Sequence, residues 1–73
     1  MSTQRNGHWV EKVSQLVNLK DRVQIGPVIG DVVVIEYIDA NSPDKHYVFG
    51  LDTAHGRVEV SARPGQVVKV WGG

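Results

Sequence analysis

The sequence predicts a mainly β domain of the α+β class, in which an N-terminal helix precedes a five-stranded antiparallel meander that curls into a small barrel. Two observations favour this fold. From Asp21 onward, short runs rich in valine and isoleucine alternate with turns containing glycine, proline or aspartate, which is typical of hairpin-linked strands. Before Asp21, apolar residues recur at helical spacing. The 73 residues, 1–73, are expected to form one domain, because a chain of this length supports a single hydrophobic core.

The first predicted element is a helix from about Gly7 to Leu19, which follows a polar segment, Met1–Gly7, that we expect to be a disordered tail. Asn6 can serve as the N-cap of this helix. A strand is the competing interpretation because valine favours β structure, but a period of 3.6 fits the apolar pattern better than a period of two. The apolar residues that gather on one helical stripe are Trp9, Val10, Val13, Leu16 and Val17.

Five predicted strands follow the helix, and turn-forming residues separate each strand from the next. Gly26-Pro27 ends the first strand because proline cannot donate to a ladder, and Gly56 suits the positive φ of a hairpin loop. Alternation predicts that Phe49 and Leu51 point to the same face. The predicted strands are Arg22–Ile25, Asp31–Ile38, His46–Leu51, Arg57–Ala62 and Gln66–Trp71.

The second predicted strand is apolar on both faces, which predicts self-association. Period-two alternation places Val32, Val34 and Ile38 on one face, and the other face carries Val33, Ile35 and Tyr37. A small barrel internalises only one face, so the second face must be covered by the helix or by another subunit. We expect Val32, Val34 and Ile38 to form the interface of a homo-oligomer. The chain has no cysteine, so disulfides cannot supplement its small core, and this favours oligomerisation further.

Charge is balanced, with eight basic and eight acidic residues, so no global field attracts nucleic acid. A local patch is nevertheless predicted if the last two strands are neighbours. Its aromatic and basic side chains could stack on bases and neutralise phosphates, but they could equally form a solvated face with the tryptophan in a subunit contact. Glu59 lies inside the patch and favours the second interpretation. The predicted binding surface consists of Arg57, Arg63, Lys69, Trp71 and His55.

Residue spacing gives no catalytic or metal site. The three histidines lack the H-x-H or H-x-x-x-H spacing that supplies two zinc ligands from one element, and no serine lies in a G-x-S-x-G context. We therefore predict a protein that is not an enzyme and that needs no cofactor and no metal. No apolar stretch is long enough for a signal peptide or a bilayer span, so we expect a cytoplasmic location and no membrane contact.

Three partial resemblances extend these predictions. A helix followed by five short strands resembles the Sm-like RNA-binding proteins, which form rings by pairing edge strands. The Arg22–Ile38 stretch, with Gly26, Gly30 and Asp31, is similar to the openings of SH3-like and KOW-type barrels. Gly72-Gly73 resembles the adenylated tail of ubiquitin-like proteins and bacterial sulfur carriers.

The predicted function is therefore a non-catalytic binding or assembly module that acts through protein–protein contacts, most simply as a homo-oligomer. One alternative is a small barrel that binds RNA or single-stranded nucleic acid. A second alternative is a sulfur-carrier-like protein that uses the C-terminal Gly-Gly. The sequence contains no motif that chooses a particular partner or ligand.

Overall fold

A computed structural model of the protein describes residues 7–72 and shows one antiparallel sheet of six strands. A single 3-10 turn, Ser14–Leu16, follows the first strand. The sheet order is β1-β6-β2-β3-β4-β5, so β1 and β5 are the edges. Residues 1–6 of the predicted tail lie outside the described part. The strands are β1 (His8–Val13), β2 (Arg22–Ile25), β3 (Val28–Ile38), β4 (His46–Thr53), β5 (Gly56–Ala62) and β6 (Val67–Gly72).

The predicted N-terminal helix is wrong, because its first half is strand β1. This strand pairs with β6 from His8 opposite Gly72 to Val13 opposite Val67. Helix preference is weak in a segment rich in β-branched residues, and cross-strand pairing with a strand almost sixty positions away outweighs it. Among residues 7–72, no helix is long and apolar enough to cross a membrane.

The predicted closed barrel is also wrong, and the sheet has six strands rather than five. A meander exists from β2 to β5, where each strand pairs with the next along the chain. The last connection then leaves the edge strand β5 and inserts β6 between β1 and β2. Within the described residues β1 and β5 are not paired with each other, so the sheet stays open.

One face of the sheet carries the hydrophobic core, as the alternation within most strands predicts. In β2, Val23 and Ile25 are buried while Arg22 is exposed, and in β4 both Phe49 and Leu51 are fully buried. The loop after the 3-10 turn adds one further apolar side chain to this face. The core consists of Val17, Val23, Ile25, Val32, Phe49, Leu51, Ala62, Val68 and Val70.

A bulge in β3 overturns the predicted face assignment of its valines. The pairing of β3 with β4 shifts between Val32 and Val34, which leaves Val33 as an extra residue. Val32, before the bulge, is 0% exposed in the core. One inserted residue reverses the direction of every side chain that follows it, so Val34 lies on the outer face. The predicted interface of Val32, Val34 and Ile38 is therefore not one surface, since only Val34 and Ile38 share the outer face.

Hydrogen bonds from the 3-10 turn fasten the β5–β6 turn to the end of β1. The Ser14 side chain is buried, at 1% exposed, and its Oγ donates to the Arg63 carbonyl at 2.5 Å. The Ser14 N–H donates to the Gln66 carbonyl at 2.8 Å, and the Gly65 N–H donates to Gln15 Oε1 at 2.7 Å. We call this group of bonds the Ser14 clamp. It joins the two sides of the open sheet at one end.

Candidate binding surfaces

The predicted binding surface is divided between two distant parts of the sheet. His55 lies in the β4–β5 turn, Arg57 is the second residue of β5, and Arg63 follows the other end of β5. Lys69 and Trp71 lie on β6, which is separated from β5 by β2, β3 and β4. The prediction assumed that the last two strands pair with each other. Because they do not, the structure does not bring these five residues together.

Trp71 forms an aromatic pair that the sequence analysis did not find. Its ring packs edge-to-face against Trp9 of β1, with the centroids 5.3 Å apart and an interplanar angle of 75°. The ring also lies against the backbone of Gly7 and leaves no room for a Cβ there. Trp71 remains 41% exposed on the outer face. The apolar periodicity predicts that Trp9 lies on a helical stripe, so only the β1–β6 register reveals the pair.

A row of charged side chains crosses four strands on the outer face. Arg22 of β2 forms an ion pair with Asp31 of β3 at 3.3 Å, and Arg57 of β5 forms one with Asp52 of β4 at 2.8 Å. Asp31 and Asp52 stand directly opposite each other. Adjacent like charges are unfavourable, and the two flanking arginines offset this. Arg57 is consequently engaged by a carboxylate instead of being available to phosphates.

A cleft lies at the end of β5, beside the 39–45 loop. It has a volume of about 480 Å³, and three of its side chains, Lys45, His46 and Arg63, can carry positive charge. The His46 Nδ1 lies 2.7 Å from the Asp44 carbonyl, which can only accept, so Nδ1 carries the hydrogen and Nε2 is left for other partners. The cleft is lined by Asp44, Lys45, His46, Ser61, Ala62, Arg63 and Gln66.

A short stack of aromatic rings follows the inner face near the same end of the sheet. Tyr37 stacks on Tyr47 with centroids 4.6 Å apart, and Tyr47 stacks on Phe49 at 5.9 Å. Tyr37 is 45% exposed, while Phe49 belongs to the core. No three His, Cys, Asp or Glu side chains converge anywhere in residues 7–72. These two surfaces therefore offer stacking and positive charge and no metal centre within that range.

The backbone of the edge strand β5 can be oriented from the hydrogen bonds of β3. The Val32 N–H donates to the Asp21 carbonyl at 2.8 Å, and the Val32 carbonyl accepts from the Lys20 N–H at 2.7 Å. The backbone groups of Val32 therefore point toward the β2 side. Successive residues of a strand point their backbone groups to opposite sides, so those of Asp31 point toward β4 and meet Asp52.

The same alternation carries across β4 to the open edge. Since the backbone groups of Asp52 point toward β3, the backbone groups of Leu51 point toward β5, where they meet those of Val58. The neighbours of Val58 must then point the other way, away from β4. The residues whose backbone N–H and C=O groups face the open edge are therefore Arg57, Glu59 and Ser61, which lack a strand partner within residues 7–72.

Comparison with known proteins finds no matching family model, curated protein or solved structure. The likeness to Sm-like proteins depended on an N-terminal helix, and that segment is strand β1. The likeness to SH3-like and KOW-type barrels was limited to Arg22–Ile38, and the sheet that contains this stretch is not closed into a barrel. Gly72 is the last residue of β6 and pairs with His8, so it is part of the ladder. Gly73 lies outside the described residues.

Proposed function

We propose that this protein is a non-catalytic binding or assembly module that acts through protein–protein contacts and associates with copies of itself. The observation that carries the proposal is the open edge at β5. A strand of seven residues presents a row of unpaired backbone donors and acceptors, which is a template for another strand.

Apolar side chains on the outer face support the same proposal. Val34 is 39% exposed, and its neighbour in the ladder is Gly50, which has no side chain to cover it. Val33, displaced by the bulge, is exposed beside it. A small domain with a limited core increases its stability when such side chains are buried against a partner.

Solution mass tests the proposal directly. Light scattering of the full chain is expected to show an average mass that rises above 8.1 kDa as the concentration is raised to high micromolar. A mass that stays at that of one chain over the whole range would contradict self-association.

Replacing Val34 by lysine tests whether the outer face of β3 takes part. We expect Val34→Lys to weaken self-association while the domain stays folded, because the side chain is partly exposed and can keep its charge in water once the contact is lost. Val67→Lys is the matched control, since Val67 is also an exposed valine on the outer face but belongs to β6. Equal effects of the two variants would argue against a specific role for Val34.

Single-stranded nucleic acid is the second candidate function, supported by the partly exposed Tyr37–Tyr47 stack near the cationic cleft. Protein contacts are the stronger candidate because Arg57 is paired with Asp52 and the net charge is zero. Fluorescence anisotropy of dye-labelled, mixed-sequence single-stranded RNA at low salt distinguishes the two, because it reports binding at any part of the surface. We expect no rise in anisotropy; a rise that salt abolishes would favour the nucleic-acid function.

A further inference from the structure

We propose that β5 pairs antiparallel with β5 of a second copy, in the register that sets Arg57 opposite Glu59 of the second copy and Glu59 opposite Arg57 of the second copy. This inference rests on the proposed self-association and specifies its edge-strand contact. A two-fold axis then passes beside Val58, and the two sheets continue into one.

Backbone geometry limits the possible registers. Only residues whose backbone groups face the open edge can exchange hydrogen bonds with a second strand. Arg57, Glu59 and Ser61 must therefore stand opposite residues of the second copy whose backbone groups also face its open edge. In a symmetric pair, each register is defined by the residue at its centre. The candidates are therefore few, and the side chains on the outer face choose between them.

Charge and the free backbone groups together select one register. A pair centred on Glu59 places this carboxylate against itself, and a pair centred on Arg57 does the same with two guanidinium groups. A pair centred on Val60 brings Arg57 against Arg63, and a pair centred on Ser61 needs the Arg63 backbone, whose N–H and C=O are already bound to Gln66 and Ser14. Like charges directly opposite are unfavourable, whereas centring on Val58 gives two Arg57–Glu59 pairs. Glu59 has no ion pair of its own among the described residues, and Arg57 would lie between Asp52 and Glu59 of the second copy.

The inner side of β5 fits the same register. Val58 and Val60 are half-buried on this side and pack against the core from its margin. Val58 also lines a mainly apolar cavity of about 220 Å³ near the tips of two hairpins. The Val58-centred pair sets Val58 against Val58 of the second copy and sets Val60 against Gly56, which has no side chain.

Strand β5 also lacks the features that usually keep an edge from pairing. It contains no proline, and its register with β4 is unbroken from Gly56 to Ala62. Proteins commonly protect an exposed edge with a proline, a bulge or an inward-pointing charge. The charges of β5 alternate in sign and lie on the outer face, where they complement a second copy in antiparallel orientation.

Charge reversal tests the register. Arg57→Glu and Glu59→Arg are each expected to weaken the dimer about tenfold, because each substitution turns two attractive pairs into repulsive ones. The double variant, R57E with E59R, restores complementarity and is expected to return the dimer Kd toward the wild-type value. Analytical ultracentrifugation measures these constants, and circular dichroism verifies that each variant is folded.

Two controls separate the interface from other effects. Asp52→Asn removes the internal partner of Arg57, as Arg57→Glu also does, and is expected to leave the dimer Kd within about twofold. Glu11→Arg makes the same change of charge as Glu59→Arg on the outer face of β1, at the opposite edge of the sheet. A loss of dimer equal to that of Glu59→Arg in either control would overturn the assigned register.

Amide hydrogen exchange of the wild-type chain gives a readout that depends on no variant. The Arg57 and Glu59 amides are expected to become protected as concentration rises, while the Val58 amide, already facing β4, changes little. If the chain self-associates without protecting these amides, and if Arg57→Glu and Glu59→Arg do not change the dimer Kd, the β5 register is wrong. The proposed assembly function would still hold. A chain that stays monomeric at every concentration overturns both.

Discussion

The C-terminal end of strand β5 and its middle differ in how their polar groups are satisfied. Beyond its C-terminal end, the carbonyl of Arg63 accepts from the buried Ser14 side chain, and the following turn is bound to Gln15. In its middle, the backbone groups of Arg57 and Glu59 face an open edge. The two edges of the sheet are therefore joined at one point, through side-chain hydrogen bonds, and within residues 7–72 the rest of the gap between β1 and β5 is unpaired.

Loss of a hydrogen bond at the Ser14 clamp should lower the free energy of unfolding more than loss of an ion pair at the exposed edge. A buried polar group that loses its partner costs about 1–3 kcal/mol, because water cannot replace the lost hydrogen bond. An exposed ion pair contributes about 0–1 kcal/mol, because solvent screens it and both side chains lose freedom. Substitutions at the Ser14 clamp and at the β5 edge therefore test the comparison directly.

The largest expected effect comes from the core that supports both regions. Phe49 is fully buried and stands opposite Val60 of β5 and Ile35 of β3. We expect Phe49→Ala to lower the free energy of unfolding by about 3–5 kcal/mol, because it removes a buried ring and leaves a cavity. Urea denaturation followed by circular dichroism measures this. Val67→Ala, at an exposed position, serves as the control, and a similar loss there would contradict the assigned core.

The next effect concerns the Ser14 clamp. We expect Ser14→Ala to cost about 1–2 kcal/mol, since the Arg63 carbonyl loses a buried donor but keeps the Gln66 N–H at 3.0 Å. Faster amide exchange at Gly65 and Gln66 should accompany the loss. Ser61→Ala, on the exposed outer face of β5, is expected to change stability by less than about 0.5 kcal/mol. If the two alanine variants proved equally stable, the clamp would have no energetic role.

The smallest effect is expected at the charged row. Asp52→Ala breaks the 2.8 Å ion pair with Arg57 but also removes the repulsion between Asp52 and Asp31. Both terms are small in water, so the free energy of unfolding should change by no more than about 0.5 kcal/mol. Thermal unfolding at low and high salt measures the balance. A loss above 1.5 kcal/mol would show that this exposed edge is as constrained as the clamp.

Local patterns determined the strands of the meander and the orientation of most of their side chains. The alternation in β4 places Phe49 and Leu51 together, and the glycine and proline turns fall between strands as predicted. Such features depend on residues a few positions apart, so one sequence is enough to recognise them.

The candidate surfaces could be predicted only in part, because they depend on strand order as well as on local patterns. Alternation within β5 and β6 indicates that Arg57, Lys69 and Trp71 point outward, and they do. Which of them lie together depends on strand order, and β6 lies beside β1 instead of β5. The Trp9–Trp71 pair and the row from Arg22 to Arg57 also need the registers of several strand pairs.

Local sequence patterns were thus enough to predict a small, mainly β domain with turns at the observed places and most core residues on the predicted face. The strand at residues 8–13, the bulge at Val33 that separates Val32 from Val34, and the open sheet all depend on long-range strand pairing. They could not be predicted locally because backbone hydrogen bonds join residues far apart in the chain. A segment with weak local preference takes the conformation that its distant partner can pair with.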